Sequence, residues 1–377
     1  MENSLKKWKI TAIVSLCLLV LVSCLYVTTL TKSNNNNVAP VEENTNSEVV
    51  ESQTEGEGFL SLWNEGTARD SLISYMDAIT DENSKDFIPV ENRVAVFDLD
   101  GTLFCETDPV YFDHMLFMHR VLEDPDYKDK ATDFQLEVAE KVQHFIDTGE
   151  YLPGLDNEHG QGVASAFAGM SVKEFNEYIQ NFKNEPAVGY NNMNRGDAFY
   201  LPMIEVIDYL QANDFKVYIV SGTDRLIVRG LVDNISFLNI PNNQIIGSDE
   251  LLVSPSQGET DGLDYTFDGE EDLILAGEFI IKNLKMNKVT AIAQEIGIQP
   301  VLSFGNSTGD SSMANYTVNN NPYRSMAFML CCDDTVRENG NVEKAEKMRK
   351  LCEENGWVAV SMKDDWSTIY GAEVTRK

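Results

Sequence analysis

The chain has 377 residues, of which 43% are hydrophobic and 24% charged, the composition of a globular protein that buries a real core. Its charge is less ordinary: 29 basic residues against 61 acidic ones leave a formal net charge of −32. A surface that negative repels phosphate backbones and argues against nucleic acid as a partner, and any phosphate chemistry on it needs a cation and a few placed donors to offset the field.

In chain order, the first feature is a targeting signal. Lys6, Lys7 and Lys9 precede an apolar run from Ile10 to about Leu30, the pattern of a secretory n-region and h-region. Within it, Leu21-Val22-Ser23-Cys24 fits a bacterial lipoprotein cleavage site, with Cys24 carrying the lipid. The run stays apolar beyond Cys24, so residues 1–30 equally fit an uncleaved signal anchor long enough to span a bilayer. Both readings tether the chain to a membrane by its N-terminus and place the body outside the cytoplasm, because the positive charges come first. Residues 31–58 are polar, acidic and poor in large apolar side chains, the composition of a disordered tether.

A helical pattern begins at Phe59, with Leu60, Trp63, Ala68, Leu72, Tyr75 and Ile79 near helical spacing. Val94–Phe97 is then a short apolar run ending in Asp98, the pattern of a buried parallel strand. Similar runs follow at 217–220, 301–304, 326–330 and 357–360, separated by helical stretches such as 203–213, 287–296 and 342–355. This alternation predicts an α/β fold with a parallel sheet covered on both faces, whose ligands sit at the carboxyl ends of the strands. About 120 residues separate the first two strands. They read as helices at 112–124, 130–147 and 171–183, with turns at 151–162 and 186–197, and predict a helical cap (111–199) inserted into a core made of 59–110 and 200–377. A second excursion, 248–277, reads as an acidic hairpin or flap. Six cysteines without regular spacing read as small buried apolar residues rather than a disulfide framework.

The chemistry-bearing residues cluster at the predicted strand ends. Asp98-Leu99-Asp100-Gly101-Thr102 places two carboxylates on one loop, where one can attack phosphorus while the other handles the proton of the leaving alcohol. Two anions beside a phosphate call for a divalent cation, and oxygen-only ligands suit Mg²⁺. Ser221-Gly222-Thr223 offers a hydroxyl and backbone amides for a phosphoryl oxygen, or a helix N-cap near Asp224. Gly305-Asn306-Ser307-Thr308-Gly309-Asp310 offers two oxygen-bearing side chains four residues apart. Lys282, Lys285 and Lys288 lie between these clusters. His114, His119, His144 and His159 lack metal-ligand spacing and read as structural or surface residues. Tyr111, Phe112 and Phe117 could line a pocket for an apolar or quaternary-ammonium group, but read first as the core of the cap.

In combination and in this order, Asp-x-Asp-Gly-Thr, Ser, Lys and Gly-Asn-x-x-x-Asp resemble the four motifs of the haloacid dehalogenase (HAD) superfamily. The resemblance extends over roughly 59–377, where Trp63-Asn64-Glu65-Gly66 and Met362-Lys363-Asp364-Asp365-Trp366 look like a secreted, phosphoserine-phosphatase-like branch. It implies a Rossmann-like HAD core and an Mg²⁺-dependent phosphatase acting on a small phosphorylated metabolite. Asp98 would be the nucleophile and Asp100 the general acid and base. Thr102, Ser221, Gly222 and Lys288 would surround the phosphoryl group, Thr102 by supporting the loop. Asp98, Asp100, Asn306 and Asp310 would serve the metal, with Asn306 standing where family members usually carry an acid. Glu106 falls near the acid that phosphoserine phosphatases use for the substrate ammonium, one residue early. The alternatives are another HAD phosphotransfer reaction and a tethered, non-catalytic binding protein on a HAD scaffold; Asp100 argues against a dehalogenase or a phosphate-pumping ATPase, and the extracytoplasmic address against a phosphomutase.

Overall fold

Every apolar run predicted as a strand forms one. The computed structural model describes residues 58–377 except 268 and 270, so the expected anchor and all but the last residue of the expected tether lie outside the described residues. Among the described residues, no helix is long and apolar enough to cross a membrane.

Seven strands make the main sheet: β1 (Val94–Phe97), β3 (Lys216–Asp224), β4 (Ile245–Val253), β5 (Ile274–Ile281), β6 (Leu302–Gly305), β7 (Met326–Cys331) and β8 (Val358–Ser361). Their order is β5-β4-β3-β1-β6-β7-β8, and all neighbours run parallel except β4 and β5. The antiparallel β4–β5 pair is the hairpin expected over 248–277. A separate small pairing joins β2 (Tyr190–Asn191) to β9 (Thr375–Arg376). Strand β1 is buried on both faces, as a central parallel strand must be. Phe97 stacks on Phe304 at 4.3 Å between ring centroids and Phe304 on Phe328 at 5.0 Å, a ladder that ties β1, β6 and β7 together. Helix α1 (Thr67–Thr80) buries Leu72, Tyr75, Met76 and Ile79, and the Tyr75 hydroxyl donates to the Val301 and Arg324 carbonyls.

Between β1 and β3 comes the helical insertion: α2 (Phe112–Met118), α3 (Asp133–Thr148), α4 (Leu155–Ala166) and α5 (Val172–Lys183). Reciprocal capping boxes start α3 at Thr132/Gln135 and α5 at Ser171/Glu174. Helix α4 corrects the expectation of a turn over 151–162. Gly160 and Gly162 weaken the helical pattern there, but a Cβ on Gly160 would come within 2.5 Å of the Phe279 ring, so this glycine permits the helix to press against β5. After the insertion come α6 (Leu201–Ala212), α7 (Arg225–Val232), α8 (Met286–Ala291), α9 (Ser311–Val318) and α10 (Val342–Asn355). Cys105, Cys331 and Cys352 are buried and free, as their irregular spacing implied.

Candidate active site

The carboxyl ends of β1, β3 and β6 meet around a cavity of about 220 Å³. The loop after β1 turns sharply at Gly101 (φ +74°), where a Cβ would overlap the Asn306 amide. Only glycine fits that backbone beside that neighbour. The turn sends Asp98 and Asp100 into the cavity and leaves Thr102 fully buried beneath it.

Strand β3 runs on to Asp224, past its predicted end, with an irregularity between Val220 and Asp224. From this stretch, Gly222 and Thr223 reach the cavity. The Thr223 hydroxyl donates to Asp100 Oδ2 at 2.7 Å, whereas Asp100 Oδ1 is buried without a partner. Ser221 is fully buried; its hydroxyl accepts from the Thr223 amide at 3.0 Å and keeps its own proton to donate. Asp224 caps α7 through the Leu226 and Ile227 amides.

Lys288, on α8, is 1% exposed and bridges two carboxylates: its Nζ lies 2.5 Å from Asp98 Oδ1 and 2.7 Å from Asp310 Oδ1. The other oxygen of Asp310 accepts from the Asn306 and Ser307 amides, both at 3.1 Å, and from the Ser307 hydroxyl. Asp310 therefore organises the loop after β6 and holds the lysine, while the Asn306 side chain meets Glu106. Of the other two lysines, Lys282 lines the cavity and Lys285 is exposed.

Electrostatically the floor of the cavity is short of positive charge. Burial, reinforced by Asp310, pushes the Asp98 carboxyl up to about 7 despite Lys288. Burial and the charges of Asp113 and Asp98 push Asp100 well above the carboxylate range. Burial likewise pushes Glu106 up to about 7, against its bond from Asn306. Burial works against the charge on Lys288, but Asp310 and Asp98 outweigh it and hold the ammonium above its ordinary range. Asp98, Asp100, Glu106 and Asp310 line the cavity beside one buried lysine that contacts two of them, and one Asp100 oxygen is left bare, a donor set that fits a hard divalent cation.

A family model of haloacid dehalogenase-like hydrolases matches residues 95–315, a span that contains every one of these loops. The chain belongs to this family. No curated protein matches the sequence significantly. Solved structures that resemble the HAD fold seen here include a conserved protein of unknown function from Anaerococcus prevotii DSM 20548, with 14% identity over 80% of this chain and 93% of the other at a TM-score of 0.48. Cytosolic 5′-nucleotidase IIIB bound to cytidine shares 12% identity over 80% and 88% of the two chains at a TM-score of 0.46. A phosphoserine phosphohydrolase-like protein from Francisella tularensis subsp. tularensis SCHU S4 shares 15% over 71% and 94% at 0.37.

The HAD motifs do not account for the whole cavity. Tyr111, Asp113, His114, Tyr151 and Asp156, all from the helical insertion, line the cavity as well and form its wall. Of the histidines read as structural or surface residues, His114 and His159 are buried and stack on each other beside Asp113, close to the cavity. Tyr111 lines the cavity, whereas Phe112 and Phe117 are core as expected. Thr223 was within reach of sequence reasoning, because it sits two residues from Ser221 on the same strand end.

Proposed function

We propose that this HAD hydrolase is an Mg²⁺-dependent phosphatase that cleaves a small extracytoplasmic phosphomonoester through a phosphoaspartate on Asp98. The observation that carries this reading is the contrast between two neighbouring carboxylates. Asp98 is held by a buried ammonium, whereas Asp100 is anchored through one oxygen with the other left open to the cavity. A nucleophile needs the first setting and a proton donor the second.

Asp98, the Asp100 backbone carbonyl and the Asn306 side chain would hold the cation, with Asp310 as a further candidate. When bound, Mg²⁺ supplies positive charge against the phosphoryl oxygens. The free oxygen of Asp98 attacks phosphorus as the bond to the leaving alcohol breaks, and Asp100, kept protonated by burial and its neighbours, gives its proton to the departing oxygen. In the second half, Asp100 takes a proton from water, the water oxygen attacks phosphorus, and Asp98 departs as phosphate is released. Lys288 balances charge in both halves, and the Gly222 amide would bind a phosphoryl oxygen, with Ser221 buried behind it in place of the direct contact expected from its sequence position. A cavity of about 220 Å³ suits a small ester rather than a phosphoprotein. The lysine-flanked apolar segment at 1–30 supports a membrane-tethered enzyme whose substrate lies outside the cytoplasm.

The test is phosphate release from a panel of small phosphomonoesters, with and without Mg²⁺. Turnover that needs Mg²⁺ and disappears in Asp98→Asn is expected. Turnover that survives either change would refute the mechanism. A folded protein that neither turns over any ester nor binds Mg²⁺ would favour the non-catalytic scaffold.

A further inference from the structure

The mechanism above leaves one buried group at the cavity unused. Asp113 and His114, in the first turn of α2, are each 2% exposed, and His159, from α4, is 1% exposed. His114 Nδ1 lies 2.7 Å from Asp113 Oδ1, and His159 Nδ1 lies 3.8 Å from Asp113 Oδ2. The two imidazoles stack with centroids 3.8 Å apart and planes 21° off parallel. The Tyr111 ring covers His114 from another side at 5.0 Å. His114 is thus fixed on three sides, yet its Nε2 is buried with no hydrogen-bond partner.

The chemistry of that nitrogen follows from its neighbour. Asp113 occupies Nδ1 and leaves Nε2 to meet the cavity, as an acceptor on a neutral ring or a donor on a charged one. A buried polar nitrogen without a partner is costly to keep, and buried polar groups are otherwise almost always paired. This one belongs to a side chain that lines the substrate cavity, as does the equally bare Asp100 Oδ1. The mechanism gives the Asp100 oxygen to the leaving oxygen of the ester. The imidazole, on the wall, meets what lies beyond it.

We propose that His114, oriented by Asp113 and stacked on His159, is a specificity-determining residue whose Nε2 forms a hydrogen bond with a hydroxyl or similar polar group on the leaving alcohol. The inference rests on the phosphomonoesterase reading and adds a substrate class to it: alcohols that carry a second, polar group. Asp113, His114 and His159 also form a donor set of the kind that binds transition metals, with ligand atoms all within 4.8 Å of one another. Two features oppose that use. Stacked rings direct their in-plane lone pairs side by side rather than at a shared point, and Lys282 brings an ammonium to the same cavity.

The experiment compares 2-hydroxyethyl phosphate with n-propyl phosphate, esters of nearly equal size that differ in the terminal hydroxyl. The wild-type protein is expected to prefer the hydroxyl ester in kcat/KM on the order of 10-fold or more. His114→Leu brings this ratio toward one, and His114→Gln, whose amide also hydrogen-bonds, restores part of it. Independently of turnover, ¹⁵N spectra of the Asp98→Asn protein should show the His114 Nε2 resonance shift when 2-hydroxyethylphosphonate is added, but not with propylphosphonate. An unchanged ratio in a folded His114→Leu protein overturns the proposal. So does Zn²⁺ binding at one per chain that is lost in both His114→Leu and His159→Leu but kept in Asp98→Asn, which would make the cluster a metal centre. If the wild-type protein hydrolyses neither ester, the phosphatase reading is left to the wider panel, and the nitrogen shift alone decides whether His114 reads the hydroxyl group.

Discussion

The floor and the wall of the cavity are built on opposite plans. On the floor, carboxylates are held by contacts that leave little freedom: Lys288 joins Asp98 to Asp310, Thr223 holds Asp100, and two amides and a hydroxyl hold the far oxygen of Asp310. On the wall, the polar groups satisfy one another only in part, and imidazole nitrogens of His114 and His159 stay open. The difference separates two tasks. A reaction common to all phosphomonoesters needs fixed geometry toward phosphorus. Choosing among alcohols needs groups that remain incomplete until the right one arrives.

Substitutions on the floor should be the most damaging. Asp98→Asn is expected to lower phosphate release on the order of 10⁴-fold or more, since it removes the proposed nucleophile. Its melting temperature, measured beside the wild type, should stay close. A large fall in stability would mean that Asp98 is chiefly a structural partner of Lys288. Lys288→Met should cost stability as well as activity, about 3–5 kcal/mol by denaturant titration, because it leaves Asp98 and Asp310 buried without a counter-charge. A stable Lys288→Met protein would show the floor to be less tightly coupled than its contacts imply. Thr223→Val keeps shape but frees Asp100, and should reduce kcat by about 10- to 100-fold, with a smaller change in KM.

The smallest expected effect concerns a buried acid outside both regions. Glu250 on β4 has both oxygens buried and unpartnered, and burial pushes its carboxyl up to about 9. A carboxyl with a raised folded-state pKa favours folding at low pH and loses that contribution as pH climbs from the unfolded value near 4.5 toward 9. Glu250→Gln should therefore stabilise the protein at pH 8 by about 1–2 kcal/mol and change little at pH 4. Equal melting temperatures for the two proteins at pH 8 would remove Glu250 as the example of a bare buried acid that carries only a cost.

The two regions also differed in how far the sequence disclosed them. Each floor motif is a contiguous stretch at the end of an apolar run, so Asp98, Asp100, Asn306 and Asp310 could be placed once the strands were recognised. Lys288 needed the family resemblance, because three lysines lay in the same interval. The wall could not be read this way. His114 and His159 stand 45 residues apart and meet only because α2 packs near α4, a helix whose glycines make it look like a turn. Asp156 falls in the same misread stretch, and Tyr151 just before it. Thr223 went unassigned for a smaller reason: β3 was expected to end at Val220, and its continuation to Asp224 decides which side chains of that stretch reach the cavity.

The bonds that make the floor also govern when it can form. Lys288 and Asp98 are 190 residues apart in the chain, and Thr223 and Asp100 are 123 apart. Contacts so distant require closing long loops before they return any stability, and chains dominated by them fold slowly. The strands after β1 must also be inserted on both of its sides before the cavity has its floor. During refolding, helical signal from the insertion should therefore return well before hydrolysis does. A partly folded chain, already rich in secondary structure, would pass through its release and maturation as a bystander to its own substrate.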